Sequence, residues 1–285
     1  MINLLAIKQP ITSLSKKVFS NRLFNRNFSS NNCLKNFSFR NLNEQELDSF
    51  SLACQEFSDC YLVSSLEALS KSKKGREILS KNIEIAPKQD DGFCGLFGNI
   101  IKISFPNING KKETFFVGAK EMDKNFDIYY HQKNKILFAV KMSMKKLIKK
   151  HFFKKPLISR LVPFTETFEY NKPSNFLEMF TGKKPIIIAE SDVNFNLKKY
   201  KKDVFNLLKR MAQTKNSNYS FVVGTGISGF GNIKSWHCLV VDKVDDANKM
   251  ITLKNKRGNG KYTFSFDELI ATFKYIVGYF DENLR

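Results

Sequence analysis

The chain has 285 residues, with 47 lysines and arginines against 27 acids and a formal net charge of +20. That length can bury a sizeable core, and the absence of any run of 18 or more apolar residues excludes a sequence-level membrane helix. Only 8 of the 47 basic residues are arginine, the side chain best suited to phosphate and base contacts, so nucleic acid is disfavoured as a partner despite the charge.

In chain order, residues 1–43 hold no acid and seven basic residues: Lys8, Lys16, Lys17, Arg22, Arg26, Lys35 and Arg40. Serine and asparagine are abundant among them. This is the composition of a mitochondrial transit peptide, with a processing motif at Arg26-Asn27-Phe28-Ser29-Ser30. A basic tail on an intracellular protein and the polar leader of a secreted bacterial effector remain as alternatives. The segment is expected to be a disordered leader preceding the folded core.

Residues 44–82 read as helical, with a break before Gly75. Leu62, Leu66 and Leu69 recur on one helical face, and Asp59 is placed to cap the helix that follows it. Residues 96–117 alternate as strands through Ile101, Ile103 and Phe105 and then 114–117, with a turn at Asn107-Ile108-Asn109-Gly110. Residues 128–165 hold no acid and ten basic residues. At their centre, Leu137, Val140, Met144, Leu147 and Ile148 share a helical face. Lys141, Lys145, Lys146, Lys149, Lys150, Lys154 and Lys155 run through and beyond that helix. They read either as its solvated face or as a surface for an acidic partner or an anionic membrane.

Residues 186–189 form an apolar strand, 198–214 a helix and 221–223 a short strand. The glycine-rich run 224–231 lacks the Lys-Ser/Thr of a phosphate loop and reads as a connection. Residues 236–244 and 249–255 form paired strands turning at Asp245-Asp246-Ala247-Asn248. Ser265-Phe266-Asp267-Glu268 is a capping box opening a helix with Leu269, Ile270 and Phe273, and 275–280 is a closing strand.

The five cysteines are Cys33, Cys54, Cys60, Cys94 and Cys238. Their odd number and spacing give neither a disulfide framework nor a zinc motif. Cys60 stands at the start of a helical run, where the dipole and exposed N–H groups favour thiolate. Gln55 lies shortly upstream. His237 lies on an apolar strand, and Asn255 on the next strand can meet it, since alternate residues of adjacent strands share a face. His131 and His151 have no such amide-bearing neighbour.

Phe57-Ser58-Asp59-Cys60-Tyr61-Leu62, Ser235-Trp236-His237-Cys238-Leu239-Val240-Val241 and Ile251-Thr252-Leu253-Lys254-Asn255-Lys256-Arg257-Gly258 resemble, in order, three blocks of the calpain-like branch of papain-type cysteine peptidases. Phe176-Leu177-Glu178-Met179-Phe180-Thr181-Gly182 resembles the segment joining that family's two lobes. The resemblance spans residues 50–280. It implies an α+β, papain-like two-lobed fold. A helical lobe over 44–180 would carry the nucleophile, and an antiparallel β lobe over 181–285 would carry the histidine and asparagine. It implies Cys60 as nucleophile, His237 as base, Asn255 as the group orienting the imidazole, and Gln55 with the Cys60 N–H as oxyanion donors.

Three features depart from the family pattern. Gln55 precedes Cys60 by five residues rather than six, Tyr61 replaces a tryptophan, and Lys256-Arg257 replace the Pro-Trp that shields the asparagine. The expected activity is endopeptidase cleavage of a protein or peptide substrate through a thioester. The alternatives are a degenerate calpain-like binding module and a thiol isopeptidase or acyltransferase. No cofactor is expected. Calcium regulation is common in the family, but the matched residues do not carry it.

Overall fold

Ser72 separates two consecutive helices. The computed structural model describes residues 37–52, 59–86, 99–108, 111–118, 121, 134–151, 173–190, 205–206, 208–209, 220–225, 232–233, 237–255, 260–273 and 275–279. Within them the helical stretch is three helices: α1 (Glu44–Leu52), α2 (Cys60–Lys71) and α3 (Lys73–Asn82). The break falls at Ser72, whose extended backbone leaves α2 and whose hydroxyl accepts the Gly75 N–H at 3.0 Å. That hydroxyl satisfies one of the orphan donors of α3. A Cβ on Gly75 would lie 2.1 Å from the Leu69 carbonyl oxygen, so this tight junction requires glycine.

Leu62, Leu66 and Leu69 are all buried, as their spacing predicts, but α2 is not an amphipathic surface helix. Every residue from Cys60 to Ser70 is buried, including Ser64, Ser65 and Glu67. The helix lies between two layers, so its polar residues meet protein rather than solvent. On one side are the other helices and a sheet ordered β1-β2-β3-β4: β1 (Arg40–Asn41), β2 (Ile83–Ala86), β3 (Ile100–Ile108) and β4 (Lys111–Gly118). β3 and β4 are the strands expected over 96–117, and β1 and β2 extend them into an antiparallel sheet. Its Ile101, Ile103 and Phe105 join Phe176, Phe180 and α2 in one core.

The edge strand β1 lies within the segment grouped by composition with the leader. Arg40–Asn41 pairs with β2, Leu42 is buried at 5 % exposure, and Arg40 makes a two-pronged ion pair with Glu46. The compact unit runs from Ser38 to Arg285, so residues 38–43 belong to the fold although their composition groups them with the preceding segment.

Two further helices cover the first core: α4 (Lys135–His151) and α5 (Pro173–Thr181). Asn134 caps α4, its side-chain oxygen accepting from the N–H groups of Ile136 and Leu137 at 3.0 and 3.1 Å. Leu137, Val140, Met144 and Leu147 are buried as the periodicity predicts, while the Ile148 side chain lies outside the described residues. Gly182 ends α5 at a positive φ of 76°, donating its N–H to Glu178. Glycine adopts that conformation without strain.

The second layer is a six-stranded antiparallel sheet in the order β5-β10-β6-β7-β8-β9. Its strands are β5 (Ile186–Glu190), β6 (Ser220–Gly224), β7 (Cys238–Asp245), β8 (Met250–Lys254), β9 (Lys261–Ser265) and β10 (Tyr275–Tyr279). Helix α6 (Phe266–Thr272) follows β9 through the expected capping box, with Ser265 and Glu268 each satisfying the other's backbone N–H. Alternation divides the sheet's residues between two cores. Val222, Cys238 and Val240 face α2, whereas Phe221, Val223, Leu239, Val241 and Leu253 pack with Leu269 and Phe273. The architecture is thus mixed helix and antiparallel sheet, an α+β arrangement. Among the described residues no helix is long and apolar enough to cross a membrane.

Candidate functional site

Helix α2 begins at Cys60, directly against the start of β7. Asp59 holds that start, but not as the sequence suggests. Its backbone carbonyl accepts the N–H groups of Leu62 and Val63, both at 3.0 Å, while its side chain makes no capping hydrogen bond. The carboxylate is instead taken by Lys141 of α4, whose Nζ donates to Oδ2 at 2.9 Å. Both side chains are almost wholly withdrawn from solvent, at 6 % and 1 % exposure. A charge-assisted bond to an ammonium is stronger than a neutral cap, and a buried carboxylate needs a counter-charge.

This pairing also corrects the reading of the lysine-rich helix. Lys141 is an internal anchor, not part of a membrane-facing or partner-facing surface. Lys146 donates to the Phe116 carbonyl and to Glu121, and Lys150 to Glu113. Lys154 and Lys155 lie outside the described residues.

Strand β7 delivers His237 and Cys238 to the N-terminal end of α2. Ser64, one turn beyond Cys60, donates its hydroxyl to the Cys238 carbonyl at 3.1 Å and so pins helix to strand. The β6–β7 ladder continues one step past its last strand pair. Thr225 donates its N–H to the His237 carbonyl at 2.9 Å, and the His237 N–H donates back to the Thr225 hydroxyl at 2.9 Å. The start of the glycine-rich run therefore fixes the histidine backbone.

The pairing of β7 with β8 opposes Val241 to Leu253 and Val240 to Lys254. Continued one step beyond the strand ends, this register makes His237 and Asn255 diagonal neighbours, on the face that carries Leu239 and Leu253. His237 Nε2 lies 2.8 Å from Asn255 Oδ1. An amide oxygen only accepts, so Nε2–H is the donor. Nδ1 is then the ring nitrogen left for the Cys60 thiol, with which the imidazole hydrogen-bonds. The Asn255 N–H is itself held by the Gly260 carbonyl at 2.8 Å, closing the turn that follows β8.

Cys60, His237 and Asn255 are each 7 % exposed. The Cys60 thiol is pulled down to about 5. The largest cause is the hydrogen bond from the Cys238 thiol; burial opposes it, and the hydrogen bond and charge of His237 add to it. Cys238 moves the other way, well above the ordinary thiol range, through the same sulfur–sulfur hydrogen bond and its burial. The positions of the two thiols favour the same directions. Cys60 stands at a helix N-terminus, whereas Cys238 lies within a buried strand. Next to them, burial pushes the Tyr61 phenol far up, and the charges of Asp59 and Cys60 push it further.

A second charge cluster, built around one buried carboxylate, fastens the other end of this contact. The Glu67 carboxylate of α2 is fully buried, with Lys254 at 3.4 Å and Lys71 at 3.7 Å. Lys71 also reaches Asp242 at 3.1 Å, and Asp242 reaches Lys261 at 2.8 Å. Lys254, the residue before Asn255, donates to the Ser51 carbonyl at 2.9 Å. Helices α1 and α2 are thereby bound to the strands that present the histidine and the asparagine.

The structure thus brings together Cys60, His237 and Asn255, three of the four residues singled out in the sequence. Gln55 lies outside the described residues, as do Trp236, Lys256, Arg257 and His131. Sequence reasoning missed the site roles of Cys238, Thr225 and Lys141. Cys238 carried a signal, since it adjoins the histidine. Thr225 and Lys141 carried none, because their roles depend on long-range pairing. Among the described residues no group of three or more His, Cys, Asp or Glu side chains could hold a metal ion. No protein-family model matches the chain, and no curated protein matches it significantly.

Proposed function

We propose that the protein is a cysteine-type endopeptidase with a papain-like, two-lobed fold related to the calpains. The observation that carries this reading is the geometry around one imidazole. His237 bonds Asn255 through Nε2 at 2.8 Å and hydrogen-bonds the Cys60 thiol, whose pKa is lowered to about 5. A nucleophile, a base and a group that orients the base form the arrangement required for acyl transfer through a thioester.

In this mechanism the Cys60 thiolate attacks a peptide carbonyl carbon. The tetrahedral oxyanion is held by the Cys60 N–H and the Gln55 side-chain amide. Protonated His237 gives its proton to the leaving amine, and the C–N bond breaks to leave an acyl-thioester on Cys60. His237 then takes a proton from water, which attacks the thioester and releases the acid product. Asn255 keeps the imidazole turned towards the sulfur throughout, and the Asp59–Lys141 pair and Thr225 hold the two backbones that carry the reacting groups. The substrate is a peptide or protein segment lying between a helical lobe (44–180) and a β lobe (181–285).

Labelling with a peptidyl epoxide tests the assignment. Wild type should form a single covalent adduct, mapped to Cys60, and His237→Ala should react far more slowly. Equal labelling of Cys60 and the other cysteines would refute an activated nucleophile at this position.

A further inference from the structure

The strand that presents His237 also presents a second thiol, which forms no bond to the substrate in the proposed reaction. Cys238 points towards α2, away from the second core, and its sulfur hydrogen-bonds the sulfur of Cys60. Both side chains are buried at 7 % exposure, and neither is in a disulfide. The backbones on either side are tied together. Ser64 of α2 binds the Cys238 carbonyl at 3.1 Å, and Cys238 is paired with Gly224 in the sheet. Two sulfurs held in contact by fixed elements, one of them at a helix N-terminus, form a reactive thiol with a second thiol positioned to capture its oxidised form.

We propose that Cys60 and Cys238 form a reversible oxidative modification site, in which a peroxide closes a disulfide between α2 and β7 and switches off the reactive thiol. The Cys60 thiolate attacks one oxygen of hydrogen peroxide. An S–O bond forms, the O–O bond breaks, and the departing hydroxide takes a proton to become water. Cys60 is then a sulfenic acid, oxidised by two electrons. The Cys238 sulfur attacks the Cys60 sulfur, an S–S bond forms, and the S–O bond breaks. The leaving hydroxide combines with the Cys238 proton as a second water. Two thiols and one peroxide thus give one disulfide and two waters, and a dithiol reductant reverses the change by exchange. Without Cys238 the sulfenic acid would remain open to further peroxide and irreversible sulfinic acid.

Formation of the bond rests on the packing that seats Cys60 and Cys238 in one core and on the backbone ties of Cys238 to α2 and β6. Its consequence for proteolysis rests on the peptidase reading, so the two are measured separately. The reduced full-length chain is treated with hydrogen peroxide, remaining thiols are blocked with N-ethylmaleimide, and non-reduced peptides are mapped by mass spectrometry. The proposal expects a Cys60–Cys238 linked peptide, complete loss of Cys60 labelling by iodoacetamide, and recovery of labelling after dithiothreitol. In Cys238→Ser and Cys238→Ala the same treatment should yield a sulfenic acid trapped by dimedone, then sulfinic acid, with no recovery by dithiothreitol. If a variant fails to fold by circular dichroism, the wild-type peptide map decides. Progress of wild-type Cys60 to sulfinic acid, or its linkage to Cys33, Cys54 or Cys94 instead, overturns the proposal. A Cys60–Cys238 link in a protein whose reduced form cleaves no peptide would sustain the disulfide and refute the peptidase reading.

Discussion

Replacing Lys141 with alanine removes the ammonium from a carboxylate that is almost fully buried. At 2.9 Å the Lys141–Asp59 attraction is about 6 kcal/mol for an effective dielectric constant of ~20. Much of that offsets the cost of taking both charges out of water. The measurable loss is therefore that of stranding Asp59, about 3–5 kcal/mol for one partner of a buried pair. For a chain of this size each kcal/mol lowers Tm by about 2–4 °C, so Lys141→Ala should melt roughly 6–20 °C below wild type. The effect should extend beyond stability, because the Asp59 carbonyl starts the helix that carries Cys60. Iodoacetamide should therefore alkylate Cys60 more slowly in folded Lys141→Ala. Urea denaturation of wild type, Lys141→Ala and the double variant Asp59→Leu/Lys141→Met isolates the charge effect. The double variant should be the more stable of the two mutants, since it leaves no buried ion unpaired. A loss below about 1 kcal/mol for Lys141→Ala, the size expected of an exposed pair, would refute this account.

Cys60 alkylation should rise with pH through a midpoint of about 5 and plateau above it, because the lowered pKa leaves the thiolate dominant from that point upward. His237→Ala removes one of the lowering influences and should move the midpoint to higher pH; an unmoved midpoint would show that the imidazole does not act on the thiol. Asn255→Ala should slow peptide cleavage less than His237→Ala, since orientation is lost but the proton carrier remains, and steady-state rates on a peptide library check the ranking. Gly75→Ala should cost about 1–3 kcal/mol in urea denaturation, because its Cβ would overlap the Leu69 carbonyl. Replacing the buried Leu42 beside β1 with alanine should cost about 2–5 kcal/mol in the same denaturation assay.

Local patterns were legible in the sequence where local forces dominate. The β7–β8 pair was readable because apolar alternation flanks Asp245-Asp246-Ala247-Asn248, and Asp245 accepts the Asn248 N–H in the turn. The Ser265–Glu268 capping box needs only residues three apart. His237 and Asn255 were readable as a pair because a strand register converts sequence position into a shared face. Helix α2 was legible as a helix but not as a buried one. Its Ser64 and Glu67 look like a solvent face until the second sheet covers them and Lys254 arrives from β8. Lys141 looked like one member of a basic run, since nothing in its neighbourhood reports that Asp59 folds against it. The sulfur contact was beyond local reading for the same reason: Cys60 and Cys238 belong to different layers, and only the packing of α2 on β7 joins them.

The central claim is that Cys60 is an activated nucleophile for peptide hydrolysis. Mapping new peptide N-termini in a proteome extract exposed to the reduced full-length protein tests it most directly, with Cys60→Ala as the matched control. The account predicts a set of cleavage sites with wild type that is absent with Cys60→Ala, while the two proteins share the same circular dichroism spectrum and melting behaviour. Identical N-terminus profiles from the two proteins would contradict it.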